Sequence, residues 1–240
     1  MSERVVIIGG TSGIGLATAE QLLGRGYEVV VAGRDEQRLE STLRQLKGEG
    51  VSGRTVDATD EEQLAAFFAV VGPFDHLVVT LTVHGGITSL LDVTAAELRR
   101  HNEGKLIPQL LTVRAALGTL RADGSVTLLG AVSSQLSAAG LVALSSANAA
   151  VEAAARVLAA ELAPRRVNAV SPGVIDTPWW DWVPAEARQE TLAGACASQA
   201  LGRPGRPEEV AHAVAFLVEN GYTTGVVLPV DGGARLGPVR

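Results

Sequence analysis

The chain has 240 residues, a formal net charge of −6 and 47% apolar residues. That length supports one large domain with a full core, and that apolar share excludes a disordered chain. The acidic balance, with no basic block, argues against nucleic acid or an anionic membrane surface as a partner.

Val5–Ile8 is a short apolar run ending in glycines and reads as a buried strand. Ile14 to Leu23 has helical spacing, Glu28–Ala32 reads as a second strand, and Glu36 to Leu46 as a polar-faced helix. Gly53–Val56 and Glu61 to Val71 repeat the pair. His76–Thr80 is a fourth strand, followed by one long helix from Ala95 to Leu120 with a bend expected near Pro108. Ser125–Leu129, Val167–Val170 and Val226–Val230 complete the strands, with helices from about Leu141 to Leu162 and from Pro207 to Glu219 between them. The alternation predicts an α/β fold, a doubly wound parallel sheet of seven strands in a single domain over residues 1–240. No apolar run approaches a membrane span, and the run at the start is too short for a signal peptide. The one cysteine, Cys196, excludes an internal disulfide. A cytoplasmic protein without a metal site is the expectation.

"IIGGTSGIG" sets Gly9, Gly13 and Gly15 between the first strand and the first helix. Glycines there allow a tight turn and a close backbone approach to a pyrophosphate. The amides at the helix start, with the helix dipole, favour the anion. Gly9, Thr11, Ser12, Gly13, Ile14 and Gly15 are therefore the candidate phosphate cradle of a Rossmann-like fold. The second strand ends in Gly33 and Arg34 where an acid would hold the adenine ribose. A guanidinium suits a 2′-phosphate, so NADP(H) is favoured over NAD(H).

The spacing G-x-x-x-G-x-G resembles that of the short-chain dehydrogenase/reductase family. The resemblance continues through "VDATD", "RVNAVSPGVIDTP", "GRPGRPEEVAHAVAFLV" and "VLPVDGG". It implies Asp57 and Ala58 at the adenine and Thr80 beside the cofactor. It implies Pro172, Gly173, Ile175 and Thr177 along the nicotinamide side and pyrophosphate. It also implies a homo-oligomer, a tetramer or dimer.

The family's catalytic set is an Asn, a Ser and a Tyr-x-x-x-Lys. Aligned with it, "ALSSANAAVEAAARVLAAELAP" carries Leu144 at the tyrosine position and Asn148 at the lysine position. The serine position falls on Ala131, with Ser133 or Ser134 as a substitute. The asparagine position falls on Lys105, or on Asn102 after a slip of one turn. Lysine and asparagine are thus exchanged between neighbouring helices, or they fall there by coincidence. Leu144 cannot move a proton, so another carrier is needed. His101 lies four residues before Lys105 on the same helical face, and His84 follows the fourth strand at the expected substrate mouth. Glu103 and Asp176 read as surface or turn residues and Cys196 as an inert thiol. The candidate catalytic residues are Lys105, Asn148, Ser133 and His101. "TPWWDWV" holds all three tryptophans where the family has a substrate lid; they wall a flat substrate or anchor the lid itself. The reading implied is an NADP(H)-dependent oxidoreductase for a small molecule with an altered proton route. The alternatives are a non-redox enzyme on the same scaffold (cyclase, dehydratase or isomerase) and an NADP(H)-sensing protein.

Overall fold

Successive strand residues point to opposite faces of a sheet, and both faces of these strands are apolar. Val6 and Ile8 pack on one side of the first strand with Phe67, Phe68, Val113 and Val151. Val5 and Ile7 pack on the other with Leu22, Leu39, Val210 and Val214. Such a sheet is stable only with helices on both sides. The computed structural model, which describes residues 2–48 and 50–237, has this architecture. Its strands are β1 (Arg4–Ile8), β2 (Glu28–Gly33), β3 (Val51–Thr55), β4 (Phe74–Val79), β5 (Leu120–Leu129), β6 (Arg166–Pro172) and β7 (Val227–Val230). They form one parallel sheet in the order β3-β2-β1-β4-β5-β6-β7. The helices are α1 (Gly13–Leu23), α2 (Glu36–Leu46), α3 (Glu61–Val71), α4 (Ala95–His101), α5 (Ile107–Ala116), α6 (Val142–Glu161), α7 (Ala185–Cys196) and α8 (Pro207–Glu219). Among the described residues no helix is long and apolar enough to cross a membrane.

The chain direction across the sheet reverses between β1 and β4, which pair from Val5↔His76 to Ile8↔Val79. That reversal opens a crevice beyond the carboxyl ends of the strands, where ligands of open α/β sheets bind. Gly9, Thr80 and Gly130 follow β1, β4 and β5 directly and so stand at that edge.

The long helix expected from Ala95 to Leu120 is broken. A π-helical turn, Asn102–Leu106, separates α4 from α5. Two local causes are visible. The Asn102 side chain donates to Leu98 O at 2.8 Å, competing for a carbonyl of the helix ladder. Pro108 has no N–H to give to Gly104 O. The irregularity therefore lies in the turn before Pro108 rather than at it. The helix also ends at Ala116, and β5 begins at Leu120 because that residue pairs with Phe74 of β4. Two further corrections are smaller. β3 starts at Val51, before the expected Gly53, since Val51 already pairs with Val29. Helix α7 is absent from the sequence reading because it has no apolar stripe; its only buried residues are Leu192 and Cys196.

Candidate active site

The glycine loop builds a cradle by bringing backbone onto backbone. Gly9 has φ +87° and Gly13 φ +50°, in the region L side chains rarely adopt. A Cβ on Gly15 would lie 2.2 Å from Gly9 O and 2.6 Å from Thr80 Oγ1. Thr80 holds the loop from below, donating to Ile8 O at 3.1 Å. Ser12, the residue before α1, makes no side-chain capping bond. The first amides of α1 are thus left to an anion, which α2 and α3 do not offer. There Asp35 accepts from Arg38 N, and Asp60 from Glu62 N and Gln63 N. Thr11 packs over Gly33, where a Cβ would lie 2.8 Å from Thr11 Oγ1. Arg34 beside it is exposed. Asp57 is held in its own turn by Thr59, whose N and Oγ1 both donate to it, and Ala58 is buried.

Beyond β5 lies a buried polar cluster. The π turn packs against α6 and carries Lys105, which is 5% exposed. Its Nζ donates to Gly130 O at 3.0 Å. Burial pushes the amine's pKa down from 10.5 to about 7, partly opposed by the negative charge of Glu152. Gln109 fixes the end of β5 by bonding both N and O of Leu129. In the 3-10 turn that follows (Val132–Gln135), adjacent serines answer residues one turn apart on α6. Ser133 Oγ accepts from Asn148 Nδ2 at 2.9 Å, and Ser134 Oγ donates to Glu152 at 2.8 Å. Ser171, near the end of β6, donates to the other Glu152 oxygen at 2.6 Å. Asn148 is 1% exposed, and no donor among the described residues reaches its Oδ1. An acceptor so placed fits a hydroxyl from a bound molecule.

Three of the four candidate catalytic residues, Lys105, Asn148 and Ser133, thus come together around one turn. The fourth, His101, stays beside them with a buried ring. Its Nε2 faces the Arg100 guanidinium at 3.2 Å, and guanidinium only donates, so Nε2 accepts and the ring is neutral. Burial, then Arg100 and Lys105, holds its pKa below the usual value. His101 is therefore a poor proton donor at neutral pH. Leu144 is half-buried in the first turn of α6. Glu152 escaped the sequence reading. The signal was there: it is the one charged member of a buried stripe with Ala147, Asn148, Val151 and Ala155.

The family model described as Enoyl-(Acyl carrier protein) reductase matches residues 9–235. Short-chain dehydrogenase/reductase ATR9 of Stachybotrys chlorohalonatus is 35% identical, over 98% of this chain and 97% of that protein. This chain is a short-chain dehydrogenase/reductase. Two solved structures share its fold over nearly their whole length. A small-chain dehydrogenase in complex with NADPH is 30% identical with a TM-score of 0.83, covering 99% of this chain and 100% of the other. An actinorhodin polyketide ketoreductase variant with NADPH is 28% identical with a TM-score of 0.89, covering 97% of each.

In this dehydrogenase/reductase the segment after β6 folds over the crevice and is bolted down by its tryptophans. Gly173 packs on the backbone of Asp231, which ties the ends of β6 and β7. Thr177 comes to rest on Gly13, and Ile175 beside it is buried. Trp180 is buried with Val183 and Leu192 and donates to Ile175 O at 3.0 Å. Trp179 Nε1 donates to Val83 O at 2.7 Å, and His84 Nδ1 donates back to Trp179 O at 3.1 Å. Arg188 adds bonds to Asp176, Asp181 and Thr177 O. Of the two roles open for the tryptophans, the indole hydrogen bonds of Trp179 and Trp180 serve anchoring. His84 likewise latches the loop after β4. Trp179→Phe removes one indole bond and keeps most of the packing. It should cost about 1 kcal/mol and loosen the segment. Acrylamide should then quench the remaining tryptophan fluorescence more readily; unchanged quenching would show that the latch does not hold the segment.

Proposed function

We propose that the protein is an NADP(H)-dependent oxidoreductase that reduces a small organic substrate, with Lys105 as proton donor. In this reading the family's tyrosine and lysine positions carry Leu144 and Asn148, and the usual catalytic set is replaced. The observation that carries it is the buried Lys105 amine at the end of β5, with a pKa of about 7. A group that titrates near the working pH is the best general acid.

The glycine loop, the first turn of α1 left uncapped by the Ser12 side chain and the orphaned Asn148 Oδ1 all fit a nicotinamide dinucleotide. Such a cofactor supplies a hydride, and the chain supplies position and the proton. Gly9 and the amides after Thr11, Ser12, Gly13, Ile14 and Gly15 hold the pyrophosphate, with Thr177 closing over it. Asp57, Ala58 and Thr80 line the adenine side; Pro172, Gly173 and Ile175 line the nicotinamide side. Asn148 accepts from a ribose hydroxyl, and Ser133 aligns the substrate oxygen. One of the three Lys105 N–H bonds goes to Gly130 O, leaving two for that oxygen or a ribose hydroxyl. The amine that gives up its proton becomes neutral, the form that burial favours. Conjugated or cationic acceptors, such as enones and iminium ions, need the least help from an acid. The match to a reductase family model and the likeness to solved structures holding NADPH favour this reading over a non-redox or purely sensing role.

The test is a titration with NADPH followed by absorbance loss across carbonyl, imine and enone panels. No binding, together with no turnover, overturns the proposal. Cofactor choice has its own check. Loss of a charged hydrogen bond costs about 1.5–3 kcal/mol. Arg34→Ala should therefore weaken NADPH binding by about tenfold or more and leave NADH nearly unchanged. Equal loss for both would remove Arg34 from the 2′-phosphate.

We also propose a homo-oligomer, a tetramer or dimer, in the cytoplasm. The outer face of α6 is rich in small residues, with Ala149, Ala153 and the exposed Val157 along it. Light scattering that gives a monomer at micromolar concentration overturns the assembly.

A further inference from the structure

We propose that Glu152 is a positioning residue of the reaction, supplying the fixed negative charge that keeps a proton on the buried Lys105 amine. The inference rests on Lys105 as the proton donor. Glu152 is 5% exposed, and no Lys, Arg or His among the described residues reaches it within ion-pair distance. A carboxylate buried without a cation is costly unless its oxygens are hydrogen-bonded. Here each oxygen has its own hydroxyl donor, Ser134 for one and Ser171 for the other. The two serines come from different elements, so the carboxylate is fixed in position as well as solvated.

Gly130 makes the arrangement possible. A Cβ there would lie 2.8 Å from Glu152 Cγ and 2.8 Å from its Oε1. With no side chain at residue 130, the carboxylate closes onto one side of the backbone while Lys105 Nζ binds the carbonyl of the same residue. Lysine and glutamate are thus held around one peptide unit without a direct ion pair. The lysine keeps N–H bonds for substrate and still has a stabilising charge nearby. The other titratable groups around Lys105 are few. On its own helical segment, His101 is neutral, and Glu103 is exposed. From α5 comes the uncharged Gln109, and from the turn after β5 and the end of β6 come the uncharged Ser133, Ser134 and Ser171. Glu152, from α6, is the charge that raises the Lys105 pKa against its burial.

A merely structural tie between α6, β5 and β6 would lose stability without touching the lysine, so the experiment reads the lysine directly. The chain has two lysines, Lys47 and Lys105. Lys47 is exposed at the end of α2 and serves as an internal reference. In the full chain labelled with [13Cε]lysine, NMR follows both groups against pH without substrate or cofactor. Lys105 should titrate near 7. In Glu152→Gln the Lys105 midpoint should fall by about one pH unit or more, and the high-pH limb of kcat should move with it. Glu152→Asp, which keeps the charge, should return both toward wild type. If Glu152→Gln does not fold, Glu152→Met takes its place: it also removes the carboxylate and should lower the midpoint as well. A Lys105 midpoint that is the same in wild type and in the folded variant overturns the role of Glu152. A wild-type Lys105 that titrates near 10 overturns the proton-donor reading instead.

Discussion

Lys105→Met should cost about 10²- to 10⁴-fold in kcat, the usual worth of a general acid, and should make the protein more stable. The two effects have one cause. Burial drives the amine from 10.5 to about 7, and each pH unit of such a displacement costs about 1.4 kcal/mol. The sign follows from proton counts. Between about pH 7 and 10.5 the unfolded chain holds a proton on Lys105 that the folded chain has lost, so wild-type stability rises with pH across that window. Below pH 7 the full penalty of burying the ammonium is present. Methionine, similar in shape and uncharged, removes it. Denaturant unfolding at pH 7 should favour the variant, with the advantage shrinking by pH 9.5. On the proposed route reduction needs the protonated amine, so wild-type kcat should rise as pH falls through about 7. A variant that keeps its turnover, or gains no stability at pH 7, contradicts the assignment.

Gly15→Ala should have the opposite profile, with stability and cofactor affinity lost together. The new Cβ meets Gly9 O at 2.2 Å and Gly9 C at 2.9 Å, both main-chain atoms that cannot swing aside. Overpacking of this kind costs about 1–3 kcal/mol. Relief requires the loop to rise toward the crevice, into the space reserved for phosphate. NADPH affinity should fall roughly 100-fold or more, equivalent to about 2.8 kcal/mol. Gly118→Ala, with no heavy atom within 4 Å of its Cβ, should stay within about 0.5 kcal/mol of wild type. Tryptophan or NADPH fluorescence and thermal unfolding measure both quantities. An unchanged NADPH affinity in Gly15→Ala would mean that the loop does not cradle the cofactor.

Local signals carried most of the fold. The alternation of Val5 and Ile7 against Val6 and Ile8 requires a two-sided sheet, and the glycine loop declares itself because its strand and helix are adjacent in sequence. Elements decided by distant partners were harder. Leu120 looked helical and became a strand residue because Phe74 lies alongside it. Helix α7 has too little apolar periodicity to announce itself. In the candidate site, Lys105, Asn148 and Ser133 were visible as chemistry-bearing residues at suggestive positions. Glu152 was not. Its meaning depends on Ser134, Ser171 and Gly130, which lie 18, 19 and 22 positions away along the chain and meet it only in three dimensions. The burial that sets the Lys105 pKa likewise accompanies the π turn, which neither Asn102 nor Pro108 alone would have disclosed.

The strand order has a consequence for a chain made from its N-terminus. β2 joins β1, and β3 joins β2; β4 then returns to the free side of β1, and β5, β6 and β7 each join the strand made just before. Only β1 waits, with its second side open until β4 is made; every later strand joins one already in place. One growing edge, β4 and then each successor, receives every later addition, so exposed backbone is covered soon after it appears. The late arrivals are the tryptophan latch onto Val83, 96 residues back, and the α1–α8 packing, which joins the first helix to the last. A nascent chain released before α8 would therefore hold a nearly finished sheet with the α1 side bare, a species that chaperones would bind through Leu22 and its neighbours.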